Sequence, residues 1–301
     1  MKVVRRVAAI AALVLVTLTA AAALASAPTH APVAPQPPVG LEVEEYVALG
    51  DSYTAGPLIP QLVPALGCFR STQNYPALLA AALDVGALTD VSCSGAGTAD
   101  LAGSQNTGFA IVPPQLAGLS RGTDLVTLGV GGNDFDVFAS LADVCPRLRA
   151  EDPDGAPCRD HFRSGDRDTL LAAVARTGDR VASVLRRVER RAPHATVLVI
   201  GYPQIAPRDQ TCPAVLPFAA GDYRYADRVE RRLNAALRHA ARSRGAQYVD
   251  TYRASRGHHA CAGKQAWVNG QHTVPGRAQS YHPFRAYMRA VADLVVRRLA
   301  R

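Results

Sequence analysis

The sequence has little that is typical of nucleic-acid-binding or metal-binding proteins. Aromatic residues make up 6% of the chain, and no basic strip is interleaved with them. Many basic residues stand beside acidic ones, as in Arg186–Arg191 and Asp227–Arg232, which is typical of a solvated helix face. We therefore expect no nucleic-acid partner. The cysteines form no tight C-x-x-C pair, and His258, His259 and Cys261 lack a second ligand pair, so we expect no metal and no cofactor.

A second linker and internal repeats are also absent. Residues 41–301 are long enough to form one α/β domain with a full core. Residues 28–40 before them are rich in Pro and Ala and show no apolar periodicity, which is typical of a solvated linker. We therefore expect one domain, residues 41–301, behind a short linker.

The N-terminus has the pattern of an export signal. Lys2, Arg5 and Arg6 precede an apolar run from Val7 to Leu24, and small residues at 23–27 offer cleavage after Ala25 or Ala27. The run is slightly short of the roughly 20 residues that a membrane-spanning helix needs. We therefore predict a signal peptide over residues 1–27 and favour secretion over an uncleaved membrane anchor. Loss of the three basic residues lowers the formal net charge from +8 to +5.

Six cysteines lie in the part of the chain that would be exported. An even number of cysteines in an oxidising compartment favours disulfide bonds. The sequence alone allows about 15 pairings of six cysteines. They are Cys68, Cys93, Cys145, Cys158, Cys212 and Cys261.

Short β-like apolar runs alternate with longer helical ones along the domain. Such alternation predicts a parallel sheet covered by helices, here a three-layer α/β/α flavodoxin-like sandwich with five parallel strands. In such sheets, ligands bind beyond the carboxyl ends of the strands. The predicted strands are Glu45–Leu49, Leu88–Cys93, Asp124–Val130, Ala195–Ile200 and Ala246–Asp250, and the predicted helices are Tyr75–Leu83, Thr169–Arg191, Tyr223–Ser243 and Pro283–Leu299.

Four short motifs stand at strand ends or before the last helix. Gly50-Asp51-Ser52 follows the first strand, Ser94-Gly95 the second, and Gly131-Gly132-Asn133-Asp134 the third. His282 stands just before the last helix. In this order and placement the motifs resemble the four blocks of the SGNH (GDSL-type) hydrolases, and most closely their secreted actinobacterial lipase and esterase subgroup. Gly97 is the alternative to Gly95 for the second block.

The resemblance implies a serine hydrolase in which Ser52 is the nucleophile and His282 its base. It also implies an oxyanion hole made of the Ser52 and Gly95 backbone N–H groups and the Asn133 side-chain amide. Many members of the family place an Asp three residues before the His, where this sequence has Gln279. In the actinobacterial subgroup a main-chain carbonyl orients the imidazole instead, here that of Ser280 or, second, Gln279. The same resemblance implies disulfides Cys68–Cys93, Cys145–Cys158 and Cys212–Cys261.

A competing motif, Gly118-Leu119-Ser120-Arg121-Gly122, matches the nucleophile elbow G-x-S-x-G. That elbow must follow a strand and open a helix. This one follows the helix-like segment Pro114–Gly118 and precedes the strand Asp124–Val130. We therefore interpret it as a helix-to-strand turn.

Together these features predict a secreted serine ester hydrolase, a lipase or carboxylesterase, that acts through an acyl-enzyme on Ser52. A phospholipase A or a carbohydrate deacetylase is the alternative within the same class. A non-catalytic binding module of the same fold would be expected to have lost Ser52, Asn133 or His282, and all three are present. We expect an acyl-ester or lipid substrate, transient contact with a lipid surface, and a monomer.

Overall fold

The computed structural model describes residues 42–63 and 67–301. The predicted signal peptide (1–27) and linker (28–40) lie outside the described residues. In the described part, no helix combines the length and the apolar character that crossing a lipid bilayer requires.

Five short apolar segments form one parallel sheet. Its strand order, β2-β1-β3-β4-β5, is that of flavodoxin-like proteins. β1 and β3 lie side by side, with Leu49 opposite Leu128, and are buried almost throughout. Their mostly apolar sequences are typical of strands covered on both faces of a parallel sheet. The strands are β1 (Glu45–Gly50), β2 (Ala87–Asp90), β3 (Leu125–Gly129), β4 (Thr196–Ile200) and β5 (Gln247–Val249).

Four long helices cover the sheet and pack in two pairs, α1 with α4 and α2 with α3. The N-cap side chains of Asn74 and Asp168 accept hydrogen bonds from Ala77 N (3.1 Å) and Leu171 N (2.9 Å), which stabilises the first turns of α1 and α2. The predicted three-layer α/β/α architecture is confirmed. The helices are α1 (Tyr75–Leu83), α2 (Thr169–Arg191), α3 (Asp222–Ser243) and α4 (Arg285–Leu299).

Short helical turns and two small hairpins connect these elements. The hairpins pair Gln105–Asn106 with Ile111–Val112 and Arg163–Ser164 with Arg167–Asp168. The turns lie at Ser52–Ala55, Thr98–Ala102, Gln115–Gly118, Asp134–Leu148, Pro157–His161, Thr251–Ala254 and Ala260–Gln265.

The predicted start of the last helix is wrong. The sequence predicts a helix that begins at Pro283, but α4 begins at Arg285 with Phe284 as its N-cap. Pro283 instead forms a β-bridge with Val268, and Phe284 N donates to the Trp267 carbonyl at 2.8 Å. These two backbone contacts hold the chain extended before the helix. Rules based on residues near a helix start cannot predict contacts with a distant segment.

The strand predictions err at their ends. The sequence predicts that β2 reaches Cys93, but the strand ends at Asp90. Val91 N and Cys93 N still donate to the carbonyls of Ala48 and Gly50. β5 is shorter than the predicted 246–250 by one residue at each end.

Three disulfides join Cys68 to Cys93, Cys145 to Cys158 and Cys212 to Cys261. They are the pairs that the family resemblance implies. None of the six cysteines is free.

Candidate active site

Ser52 lies at the carboxyl end of β1, where the chain turns sharply into the short helix Ser52–Ala55. Asp51 caps this helix, because its Oδ1 accepts the Tyr53 N–H at 2.8 Å. The Ser52 N–H is the first of the helix and therefore has no acceptor within it. The side chain is 6% exposed and lines a pocket of about 320 Å³. A hydroxyl and a backbone donor are thus presented at the sheet edge.

Gly50 is held by a side-chain amide clamp that the sequence analysis did not find. Gln115 Oε1 accepts the Gly50 N–H at 2.8 Å, and Gln115 Nε2 donates to the Gly50 carbonyl at 2.9 Å. A Cβ at position 50 would come within 2.7 Å of the Gly129 carbonyl, so only glycine fits. The clamp fixes the backbone two residues before Ser52.

His282 lines the same pocket as Ser52. Its Nδ1 lies 2.6 Å from the Ser280 carbonyl oxygen. Because a carbonyl can only accept, Nδ1 carries the hydrogen, and Nε2 of the neutral ring is left as the basic nitrogen. Burial lowers the pKa of His282, partly offset by the hydrogen bond to Ser280. The imidazole is therefore neutral at neutral pH.

The loop that carries His282 is fixed on two sides. Asn269 Nδ2 donates to the carbonyls of His272 (2.7 Å) and Gln279 (3.0 Å). From the other side, the Tyr53 hydroxyl donates to the Tyr281 carbonyl at 2.6 Å. Since Tyr53 directly follows Ser52, this bond ties the histidine loop to the serine turn. The sequence does not predict these roles for Tyr53 and Asn269. The Asn-Gly pair at 269–270 indicates a turn but not the contacts of the Asn269 amide.

Asn133 lies on the pocket wall, whereas Gly95 lies on the loop that follows β2. Asn133 Nδ2 donates one hydrogen to the Ala96 carbonyl at 3.0 Å, and its second hydrogen has no acceptor among residues 42–63 and 67–301. Gly95 is exposed, has a φ of 80° that favours glycine, and does not line the pocket. Cys93 N donates to the Gly50 carbonyl at 3.0 Å, so the Gly95 turn lies against the Ser52 turn.

The backbone N–H groups of Gly95 and Gly97 differ in their availability. Gly95 N donates to no acceptor in residues 42–63 and 67–301. Gly97 N donates to Asp100 Oδ2 at 2.8 Å. This contact favours Gly95 over the alternative Gly97 as an anion donor.

The two acids of the motifs have partners other than His282. Asp51 is buried, and its Oδ2 accepts the Tyr202 hydroxyl at 2.5 Å, while that hydroxyl accepts the Gly132 N–H at 2.8 Å. Burial raises the pKa of Asp51 to about 7, although the bond from Tyr202 acts to lower it. Asp134 accepts from Thr98 N and from the Arg180 guanidinium. Both carboxylates hold loops together.

The remaining pocket wall is mostly apolar. At one end the Glu230 carboxylate accepts the N–H groups of Ile205 and Ala206, each at 3.0 Å, and burial raises its pKa well above the usual range. These bonds hold the segment that carries Ile205 against the pocket. The apolar lining residues are Phe138, Ala139, Leu141, Ala142, Ile205, Phe218 and Ala226.

Ser120, the serine of the competing motif, lies away from this edge of the sheet. It is exposed between the turn Gln115–Gly118 and the start of β3, and its hydroxyl donates to Glu45 Oε2 at 2.8 Å. The prediction of a helix-to-strand turn is confirmed.

Known proteins are similar to this chain in sequence and in fold. The profile of the GDSL-like Lipase/Acylhydrolase family matches residues 48–290. Lipase 2 of Streptomyces coelicolor is 41% identical over 249 residues, covering 81% of this chain and 82% of the relative. The crystal structure of phospholipase A1 from Streptomyces albidoflavus has a TM-score of 0.67 at 30% identity, covering 86% of this chain and 100% of that one.

The crystal structure of the extracellular lipase from Streptomyces rimosus has a TM-score of 0.64 at 28% identity, with coverage of 86% of this chain and 100% of that chain. The family match covers more than half of the chain, and it includes the serine turn, the Asn133 loop and His282. The chain therefore belongs to the GDSL-like lipase/acylhydrolase family of carboxylic-ester hydrolases.

Proposed function

We propose that Ser52 and His282 form the catalytic dyad of this ester hydrolase, with the Ser280 carbonyl in the place of an acid. The observation that carries the proposal is the 2.6 Å contact from His282 Nδ1 to the Ser280 oxygen, in a pocket that Ser52 also lines. This contact holds the tautomer in which Nε2 accepts a proton. A serine hydroxyl is a weak nucleophile until such a base removes its proton.

The reaction begins when His282 Nε2 takes the Ser52 proton as Oγ bonds to the ester carbonyl carbon. The oxyanion that forms is stabilised by the N–H groups of Ser52 and Gly95 and by the Asn133 amide. His282 then gives the proton to the leaving alcohol, and the ester C–O bond breaks to leave acyl-Ser52. A water deprotonated by His282 attacks this acyl group and releases the acid. Each oxyanion donor is worth about 100- to 1,000-fold in rate.

The substrate class follows from the pocket wall. Its apolar side chains, among them Phe138, Leu141 and Phe218, suit an acyl chain better than an acetylated sugar, because a sugar would need many polar partners. We therefore place lipid acyl esters, including phospholipids, ahead of carbohydrate acetates. Rates on p-nitrophenyl esters of rising chain length, emulsified triglyceride, phosphatidylcholine and acetylated sugar distinguish these classes. A preference for acetylated sugar would refute the assignment.

Secretion is part of the proposal. The N-terminal export pattern and three disulfides support it, because disulfides persist in oxidising compartments. We expect the intact mass of the exported protein to correspond to a chain that begins after Ala25 or Ala27. A mass that includes residues 1–24 would contradict cleavage.

The nucleophile is tested by Ser52→Ala. The change removes Oγ and almost no packing volume, so the fold should remain while kcat on a soluble ester falls by about 10⁴-fold or more. Ser120→Ala is the matched control and should keep wild-type turnover, because Ser120 contacts Glu45 at the opposite end of the sheet. Folded Ser52→Ala protein with more than a few per cent of wild-type turnover would disprove the assignment.

A further inference from the structure

Five large apolar side chains are exposed in the described part of the chain, and all five come from two neighbouring loops. Phe109 is 73% and Ile111 67% exposed, and the other three are about 40% exposed. Single exposed apolar residues are ordinary, but a cluster marks an interaction surface. We call this cluster the apolar rim; it consists of Leu62, Val63, Phe69, Phe109 and Ile111.

The rim is continuous across the two loops. In the first loop, Val63 N donates to the Arg70 carbonyl at 2.8 Å and Leu62 forms a β-bridge with Ser71, which brings residues 62–63 beside Phe69. Phe69 meets Phe109 of the second loop edge to face, with ring centroids 5.9 Å apart. Ile111 stands two residues further along the same hairpin. The five side chains therefore belong to one surface.

The rim adjoins the candidate active site. Cys68, next to Phe69, is bonded to Cys93, and Cys93 N donates to the Gly50 carbonyl at 3.0 Å. Gln105, at the base of the hairpin, donates from Nε2 to the Ser94 carbonyl at 2.9 Å. Both loops of the rim are thus attached to residues 93–94, directly before Gly95. The rim is therefore connected to the loop that carries Gly95, the proposed oxyanion donor.

The rim loops carry almost no charge. Residues 103–119 contain no charged side chain, and residues 57–63 and 67–74 contain only Arg70. The Arg70 guanidinium donates to the Ser92 carbonyl at 3.0 Å. Because these residues include no carboxylate, phosphate groups of a phospholipid would not repel this surface. Because they include almost no charge, moving the surface into an acyl layer costs little desolvation free energy.

We propose that the apolar rim docks the enzyme on the surface of aggregated acyl lipid and so brings the pocket opening to the lipid–water interface. The identity of the substrate rests on the proposed function, whereas docking itself does not need Ser52. Insertion of Phe109 and Ile111 removes their apolar surface from water, which favours the bound state. Loss of the rim should therefore affect aggregated substrates and leave dissolved ones unaffected.

Docking is measured without hydrolysis on vesicles of diether phosphatidylcholine, which has no ester bond. We expect Phe109→Ser/Ile111→Ser to partition onto these vesicles less than wild type by about tenfold or more, since the change removes two apolar side chains that docking would take out of water. Phe109→Leu/Ile111→Leu should keep the wild-type partition. Ala235→Ser, at an exposed position of α3, should also leave the partition unchanged. Equal partition of all variants would overturn the proposal.

Kinetics give the second readout. The serine double variant should hydrolyse dissolved p-nitrophenyl butyrate within about twofold of wild type, and phosphatidylcholine vesicles about tenfold more slowly. If it loses both activities equally while folded, the rim acts on catalysis and not on docking. If Ser52→Ala remains active, the nucleophile assignment fails while the partition result still stands.

Two further measurements complete the test. Circular dichroism checks that each variant folds. If the hairpin variant does not fold, Leu62→Ser on the other loop tests the same surface, and it should also reduce partition onto the vesicles. Light scattering after size exclusion examines the competing occupant, a second copy of this chain. A wild-type dimer that the double variant converts to a monomer, with unchanged vesicle partition, would assign the rim to a dimer interface instead.

Discussion

At the scale of single residues, the orientation of His282 by a main-chain carbonyl distinguishes a dyad from a triad. The Ser280 oxygen belongs to the main chain, so no side-chain substitution removes it, whereas substitution of a buried acid removes its carboxylate. We therefore expect His282→Ala to lower kcat/KM on a soluble ester by about 10⁴-fold, and Gln279→Ala to keep most of the activity. Asp51→Asn and Asp134→Asn should stay within about tenfold of wild type, because both acids contact other groups.

The decisive comparison is between the acid variants and His282→Ala. A folded Asp51→Asn or Asp134→Asn protein as inactive as His282→Ala would show that a carboxylate completes a triad. The dyad would then have to be abandoned.

The environment of His282 also sets the pH dependence. Burial lowers the pKa of His282, and the proposed base is active only when neutral. Activity is therefore retained above the lowered pKa and lost as pH falls through it. We expect the acid limb of kcat/KM on a soluble ester to have its midpoint below the ordinary histidine value of about 6.5.

Asp51 also titrates in this range, since burial raises its pKa to about 7. Measuring the same profile on Asp51→Asn separates the two groups, because only the histidine limb should persist. An acid limb above pH 6.5 in that variant would contradict the assignment of His282.

At the scale of elements, the loop before α4 positions His282, the proposed base. Asn269 is buried, and its amide donates to three carbonyls of the loop, those of His272, Ala278 and Gln279. Asn269→Ala removes the amide that joins these three carbonyls. Among the described residues, the His272 carbonyl then has no other donor, and His282 is freer to reorient. We expect kcat to fall by about tenfold or more at a nearly unchanged KM, with a lower Tm.

A loss of kcat at an unchanged KM separates positioning of His282 from general destabilisation. Gln210→Ala, an exposed amide outside the loop, serves as the control. An Asn269→Ala protein with wild-type kcat would show that the loop keeps its shape without the amide.

The elements of the fold were predictable to the extent that their signals are local. β1 and β3 are short runs of buried apolar residues, and Ser52 and Asn133 follow them at the edge where parallel strands end. Contacts between distant segments were not predictable. Gln115 holds Gly50 across 65 positions, and Tyr202 reaches Asp51 across 151. The β-bridge between Pro283 and Val268 likewise keeps Pro283 out of the helix, although proline is favoured in a first helical turn.

At the scale of the whole molecule, the disulfides connect its stability to export. They close separations of 25, 13 and 49 residues. In the chain-entropy model these loops contribute about 3.5, 3 and 4 kcal/mol, together comparable to the typical net stability of a domain, about 5–15 kcal/mol. We therefore expect the oxidised protein to have no titratable thiol when denatured, and the reduced protein to be unfolded or nearly so at 37 °C.

This prediction is checked by urea unfolding with and without reductant, with Cys145→Ala/Cys158→Ala as the intermediate case. That pair closes the shortest loop, so the double variant should lose about 3 kcal/mol and remain folded. Full reduction should lower the midpoint much further, because all three constraints on the unfolded chain are released together. A reduced protein with an unchanged midpoint would mean that the sheet and its four helices are stable alone. Folding would then not depend on an oxidising compartment.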